Sequence, residues 1–194
     1  MEEYALWTPD SRLRTAEFYN TNSFNYRILR MPQTVYLSLG SNVGDRTLNL
    51  KTAIEKLARV GKVQATSSLY ETEPVEVSDQ PWFLNCALAL ETQNTPRDLL
   101  EALLGIEEEM GRQRTRNKGP RNIDIDILLF GNFILDEKGL TIPHPALQQR
   151  RFVLDPLAEI APDLRHPLLK RTIAELRDQL SPAQQITRIA SSGS

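Results

Sequence analysis

In Asn122-Ile123-Asp124-Ile125-Asp126-Ile127, isoleucine and acidic residues alternate without a break. Successive side chains of an extended chain point to opposite faces, so a strand separates these two sets cleanly. A strand predicted over 123–130 turns Ile123, Ile125, Ile127 and Leu129 toward a core. Asp124 and Asp126 then project from the other face, roughly 7 Å apart by the rise of a strand. A sheet with one buried face follows, and it must accommodate two neighbouring carboxylates on the other.

The remaining elements build that sheet. A strand is predicted over 34–40, and a helix capped by Asp45 follows the turn Gly40-Ser41-Asn42-Val43-Gly44. Leu50, Ala53, Ile54, Leu57 and Ala58 form its apolar face, and Gly61 supplies a stop. A second strand is predicted over 62–70, a polar acidic loop over 71–81 and a third strand over 82–91. Thr95 caps the next helix, Pro96 takes its first position and Asp98 completes a capping box, with Leu99, Leu103, Ile106 and Met110 as the stripe. Phe133-Ile134-Leu135 is a short added strand, and helices are expected near 151–160 and 172–180. The order β-α-β-β-α-β predicts the α+β class: a ferredoxin-like sandwich, helices on one face of an antiparallel sheet, with additional C-terminal helices.

A chain of 194 residues suits one compact domain. Its net charge of -2 supplies no global field for nucleic acid or an acidic membrane, so any anion site must be a local cluster. No apolar run approaches the roughly 18 residues of a membrane span. Glu2 and Glu3 precede no apolar segment, which argues against a signal peptide and makes a cytoplasmic location the expectation. Cys86 is the single cysteine and lies in an apolar run, so no internal disulfide can form and a buried inert thiol is expected. With only His144 and His166 as imidazoles, zinc is not expected. Residues 1–33 show no sustained period. They are expected to be a disordered extension ahead of a true start at Met31, or else an added segment docking on the domain. The domain is placed at 34–180, and 181–194 is expected to be a flexible tail.

An Asp-x-Asp pair on a strand is either a solvated face or a metal site. Two like charges this close raise one another's pKa unless a cation intervenes, and Mg²⁺ suits one or two carboxylates plus phosphate oxygens and water. The segment just upstream, 111–121, carries five cations (Arg112, Arg114, Arg116, Lys118, Arg121) and no acid, with Gly111 and Gly119 near its ends. Read alone it is a solvated basic loop. Beside the carboxylate pair it is what a magnesium–polyphosphate site requires, since arginine forks match phosphate oxygens. Glu107, Glu108 and Glu109 close the second helix where acids oppose its dipole, and the basic loop is their obvious partner. No Walker lysine follows Gly40-Ser41-Asn42-Val43-Gly44.

These segments, taken together, resemble the hydroxymethyldihydropterin pyrophosphokinases. The resemblance rests on Leu39-Gly40-Ser41-Asn42, Tyr70-Glu71-Thr72-Glu73-Pro74 and Gln80-Pro81-Trp82-Phe83-Leu84-Asn85, with Gly119-Pro120-Arg121-Asn122-Ile123-Asp124-Ile125-Asp126 the most specific block. Ile142-Pro143-His144-Pro145 and Arg150-Arg151-Phe152 complete it, so that it runs in order from about Thr34 to Leu180. It implies an enzyme of folate biosynthesis that transfers pyrophosphate from ATP to the hydroxymethyl group of 6-hydroxymethyl-7,8-dihydropterin and releases AMP. By the resemblance, Asp124 and Asp126 would hold two Mg²⁺ ions, and Arg112, Arg114 and Arg121 would contact phosphates. His144 and Arg150 would touch ATP, with Ile127 and Thr141 near the nucleotide. Glu107 would position the nucleotide or order the loop. Phe83 and Phe152 would sandwich the pterin, Asn85 would bond its edge, and the Thr72 and Val75 backbones would help. Asp126 is the candidate should the reaction use a general base. Small-molecule substrates, a monomer, and no nucleic-acid or membrane partner are implied. Lys118 and Pro145 depart from the tryptophan and tyrosine that some members carry there. Two other classes remain open on the residues alone. One is a metal-dependent glycosyl- or nucleotidyltransferase using the Asp-x-Asp pair; the other is a ferredoxin-like RNA-binding module, although the sheet aromatics of such modules are missing.

Overall fold

The structure, a computed structural model, describes residues 31–74, 80–112, 119–181 and 185–189. In chain order the elements are β1 (Gln33–Ser41), α1 (Arg46–Leu57), β2 (Lys62–Thr66), β3 (Leu69–Thr72), β4 (Phe83–Thr92), α2 (Pro96–Glu109) and β5 (Asp124–Phe130). A small hairpin of β6 (Leu135–Glu137) and β7 (Leu140–Ile142) follows, then α3 (Arg151–Ile160), α4 (Ile173–Asp178) and β8 (Ile186–Ile189). The main sheet runs β5-β1-β4-β3-β8, with β2 also pairing with β4, and every pair is antiparallel. This is the expected α+β ferredoxin-like arrangement. Among the described residues no helix is long and apolar enough to cross a membrane.

The core follows from alternation. Val35, Leu37 and Leu39 of β1 share a face with Leu84, Cys86, Leu88 and Leu90 of β4, and meet Leu50, Ala53 and Leu57 of α1 and Leu99, Leu103 and Ile106 of α2. Burial pushes the Cys86 thiol up to about 12, so it stays protonated and inert. The helix starts are set by their caps. Asp45 Oδ1 accepts from the Leu48 N–H at 2.9 Å, and Thr95 Oγ1 from the Asp98 N–H at 3.2 Å. Asp98 is too short to close a box with the backbone and meets the Thr95 hydroxyl at 2.8 Å. The complete capping box is at α4, between Thr172 and Glu175.

Five further expectations are corrected. The strand expected over 62–70 is two strands, broken at Ser67-Ser68, where Ser67 bonds Ala87 through both its N–H and its Oγ at 2.9 Å and so replaces the ladder. Leu129 does not join the first core. The β1–β5 register shifts so that Leu37 faces Ile127 but Tyr36 faces Leu129, and the extra residue inverts the alternation beyond it. Leu128 and Leu129 pack instead with Val153, Leu154 and Leu157 of α3, while Phe130 returns to the first core. Helices therefore lie on both faces, with α3 and α4 covering part of the face opposite α1 and α2. The added strand is Leu135–Glu137, because Phe133 packs edge-on to Phe130 with ring centroids 5.4 Å apart. Finally, Ile186–Ile189 of the expected flexible tail is a strand paired with β3. The expectations for residues 1–30, and for the ends of the chain beyond 189, lie outside the described residues.

Candidate active site

Where α3 and α4 leave the second face of the sheet, it floors a cavity of about 320 Å³. Two rows of residues in register cross that floor. Asp124, Gly40 and Asn85 form one; Asp126 and Ser38 form the other, whose next residue in register, Ala87, is buried against α3. The middle strand contributes only small side chains, so groups on either side look onto one space. Gly40 is required by that geometry: a Cβ there would lie 2.7 Å from Asn85 Oδ1.

The acidic end is wrapped in guanidinium groups. Arg121 Nη1 donates to Asp124 Oδ2 at 2.7 Å, and Arg112 Nη1 pairs with Asp124 Oδ1 at 2.5 Å. Arg112 also bonds Glu107, a residue only 1% exposed whose carboxylate accepts from the Ile125 N–H at 2.7 Å. Glu107 therefore stands behind the cavity, joining the end of α2 to the start of β5 and holding Arg112. Gly111, at φ +83°, makes the turn that carries the chain from α2 to this arginine. Asp126 is different: burial, and then the charge of Asp124, push its carboxyl up to about 6. Burial and then Arg150 push His144 down, and its Nδ1 accepts from the Ala146 N–H at 3.2 Å. The ring is thus a neutral tautomer with its proton on Nε2. Arg121 Nε is buried and has no hydrogen-bond partner among the described residues.

The opposite end is aromatic and amide-lined. Phe83 and Phe152 both border the cavity, Arg121 stands over the Phe83 ring at 5.6 Å, and Arg150 over the Phe152 ring at 5.5 Å. Asn85 Nδ2 donates to Thr72 Oγ1 at 2.7 Å, which orients the amide. Asn42, in the turn after β1 and 2% exposed, ties the two ends together. Its Oδ1 accepts from the Arg121 N–H at 2.8 Å, while its Nδ2 donates to Gln80 Oε1 at 3.2 Å and to the Pro81 carbonyl at 3.3 Å.

Ten of the residues singled out from sequence line this one cavity: Thr72, Phe83, Asn85, Arg112, Arg121, Asp124, Asp126, His144, Arg150 and Phe152. Three do not. Glu107 acts through Arg112, as above. The Ile127 side chain is buried in the first core, on the far side of the sheet from the carboxylates. Thr141 lies on the β6–β7 hairpin, where its Oγ1 bonds Asp136 at 3.0 Å. Val75 and Arg114, with most of the basic loop, lie outside the described residues. Ser38 is a lining residue that sequence reading missed. Its signal was present: it shares the non-core parity of β1 with Gly40, and neither has the bulk to close that face.

The chain matches the model of the 7,8-dihydro-6-hydroxymethylpterin-pyrophosphokinase (HPPK) family over residues 36–162. It is 42% identical over 175 residues to the folic acid synthesis protein fol1 of Schizosaccharomyces pombe, covering 89% of this chain and 24% of that protein. It is 45% identical over 150 residues to the 2-amino-4-hydroxy-6-hydroxymethyldihydropteridine pyrophosphokinase of Methylorubrum extorquens, covering 76% of this chain and 94% of that one. The chain thus spans about a quarter of the fungal protein and nearly all of the bacterial one. Among solved structures, Plasmodium falciparum HPPK-DHPS with pteroate superposes with a TM-score of 0.65 at 20% identity, over 76% of this chain and 44% of that one, a likeness of fold.

Proposed function

The chain belongs to the 7,8-dihydro-6-hydroxymethylpterin-pyrophosphokinase family, and from that premise we propose that it transfers pyrophosphate from ATP to the hydroxymethyl group of 6-hydroxymethyl-7,8-dihydropterin, releasing AMP, for tetrahydrofolate synthesis. One observation carries the reading: a single cavity holds paired carboxylates flanked by three arginines and a histidine at one end, and two phenylalanines with an oriented amide at the other. A triphosphate fits the first end and a flat ring with a donor–acceptor rim fits the second. We assign the catalytic domain to residue 34 onward and extend it through β8.

The residues present fit magnesium. Asp124 and Asp126 offer hard oxygen ligands on one face of the sheet, and Asp126 is held well above the usual carboxylate range by burial and then by the charge of Asp124, both of which a bound divalent cation would offset. When bound, Mg²⁺ would neutralise charge building on the phosphate oxygens. Arg112 and Arg121, which hold Asp124 in the structure, turn to phosphate oxygens, and the unpartnered Arg121 Nε supplies a further donor. His144 donates through Nε2 and Arg150 adds charge. Phe83 and Phe152 fix the plane of the pterin, and Asn85 with Thr72 reads its edge. The pterin hydroxyl oxygen attacks the β-phosphorus, the bond from that phosphorus to the α-phosphate bridging oxygen breaks, and AMP departs. The hydroxyl proton passes to Asp126 or to water, since a loose transition state asks little of a base. The protein is incubated with ATP, magnesium and 6-hydroxymethyl-7,8-dihydropterin, and AMP is read by chromatography. Pterin-dependent AMP is expected; AMP release that ignores the pterin overturns the proposal.

A further inference from the structure

The free edge of β3 is closed by the last described segment of the chain. β8 pairs with all of β3: Leu69 with Ile189, Tyr70 with Arg188, Glu71 with Thr187 and Thr72 with Ile186. The pairing continues one step further. The Glu73 N–H donates to the Gln185 carbonyl at 3.4 Å, and the Gln185 N–H to Glu73 Oε1 at 3.1 Å. The other end is anchored by charge. Arg188 donates to Ser68 Oγ at 2.8 Å and to Glu159 Oε1 at 2.9 Å. Glu159 also accepts from the Tyr70 hydroxyl at 2.8 Å and from the Ser68 N–H at 3.1 Å, so β8 and β3 are fastened together onto α3.

The end of β3 is a wall of the cavity. Thr72 orients the Asn85 amide, and Glu73 and Pro74 continue the lining. On its other side β3 is paired with β4 only through Tyr70, Glu71 and Thr72. Such a short strand left at an edge opens readily, because half its backbone groups have no partner and little apolar surface holds it. The carboxylates of the phosphate end, Asp124 and Asp126, sit on β5, beyond β1 and β4 from this edge.

We propose that β8 is a positioning element for pterin recognition, holding Thr72 and Glu73 in place through the backbone ladder so that Asn85 presents a fixed amide to the ring. This rests on the reading of the cavity as a pterin site. Bonded and non-bonded pairs alternate in an antiparallel ladder. The bond from Glu73 to Gln185 therefore makes Thr187–Glu71 the next bonded pair. Thr187 is exposed, so Thr187→Pro removes its N–H without touching the core. In the full chain this variant should raise the KM for the pterin about fivefold, the worth of one such bond, while the KM for ATP and kcat stay within about twofold. Thr187→Ala keeps the N–H and should behave as wild type. Arg188→Ala, which loses only the anchor, should show the same split at about two- to threefold, and it carries the test if the proline variant does not fold. Equal rises in both KM values, or no rise in either, overturn the proposal. Absence of AMP from the wild-type protein would instead retire the proposed activity. In that case, hydrogen exchange at the Glu71, Thr72 and Glu73 amides still reads the clamp: faster exchange in Thr187→Pro supports it and unchanged exchange refutes it.

Discussion

Asp126→Asn should make the metal-free protein more stable while removing its activity. Burial and the neighbouring Asp124 raise the Asp126 carboxyl from 3.8 to about 6. At roughly 1.4 kcal/mol for each pH unit, the ionised group costs the fold about 3 kcal/mol at neutral pH. The sign follows from the direction of the shift. A folded-state acid that binds its proton more tightly than the unfolded chain does contributes stability that is fully present below about pH 4. That stability is lost as pH rises through about 6. Asparagine carries no charge at any pH, so its advantage over aspartate is largest at about pH 8 and vanishes near pH 4. Urea unfolding of both proteins in EDTA at those two pH values measures this directly. Magnesium at about pH 8 should then stabilise the wild type more than the variant, because the ion binds the native carboxylate pair and relieves its repulsion. Turnover of the variant should fall by orders of magnitude, on the order of a lost metal ligand. If the variant is no more stable at pH 8, or keeps its advantage at pH 4, the assignment of a strained acid pair is wrong.

Two further substitutions probe the cavity. Gly40→Ala sets a Cβ 2.7 Å from Asn85 Oδ1 and must displace an amide tied to Thr72. Calorimetry should show pterin affinity reduced about tenfold with ATP affinity unchanged, and equal loss of both would refute the placement of Asn85 at the ring edge. Asn42→Asp keeps the acceptor for the Arg121 N–H but turns a second carboxylate oxygen toward Gln80 Oε1 and the Pro81 carbonyl. A loss of about 2 kcal/mol in thermal or urea unfolding is expected, with the pterin KM rising more than that of ATP. An unchanged melting temperature would mean that Asn42 is not the tie it is drawn to be.

Most of the site was legible because strands and helices impose short periods. Once Ile123, Ile125 and Ile127 are read as the buried set, Asp124 and Asp126 have nowhere to point but the other face, and that is where they are found. The caps at Asp45 and Thr95 were equally local, a side chain reaching an N–H three residues on. The specific Gly-Pro-Arg-x-x-Asp-x-Asp block carries the resemblance to the family independently of the fold. Leu129 departs from its expected face because a single extra residue in β5 inverts every side chain after it, and only the partner strand reveals the insertion.

The chain's own order of residues determined the parity of each strand, the position of each helix start and the chemical types available to the candidate site, because all of these depend on neighbours within a few residues. Only the tertiary structure decided which of them meet. That Glu107 serves Arg112 from behind, that Asn42 ties Arg121 to Gln80, and that Ile186–Ile189 closes the edge of β3 are contacts between segments far apart in the chain. They depend on sheet order and register, which no local pattern encodes, since a backbone N–H pairs with whichever carbonyl the packed core brings within reach.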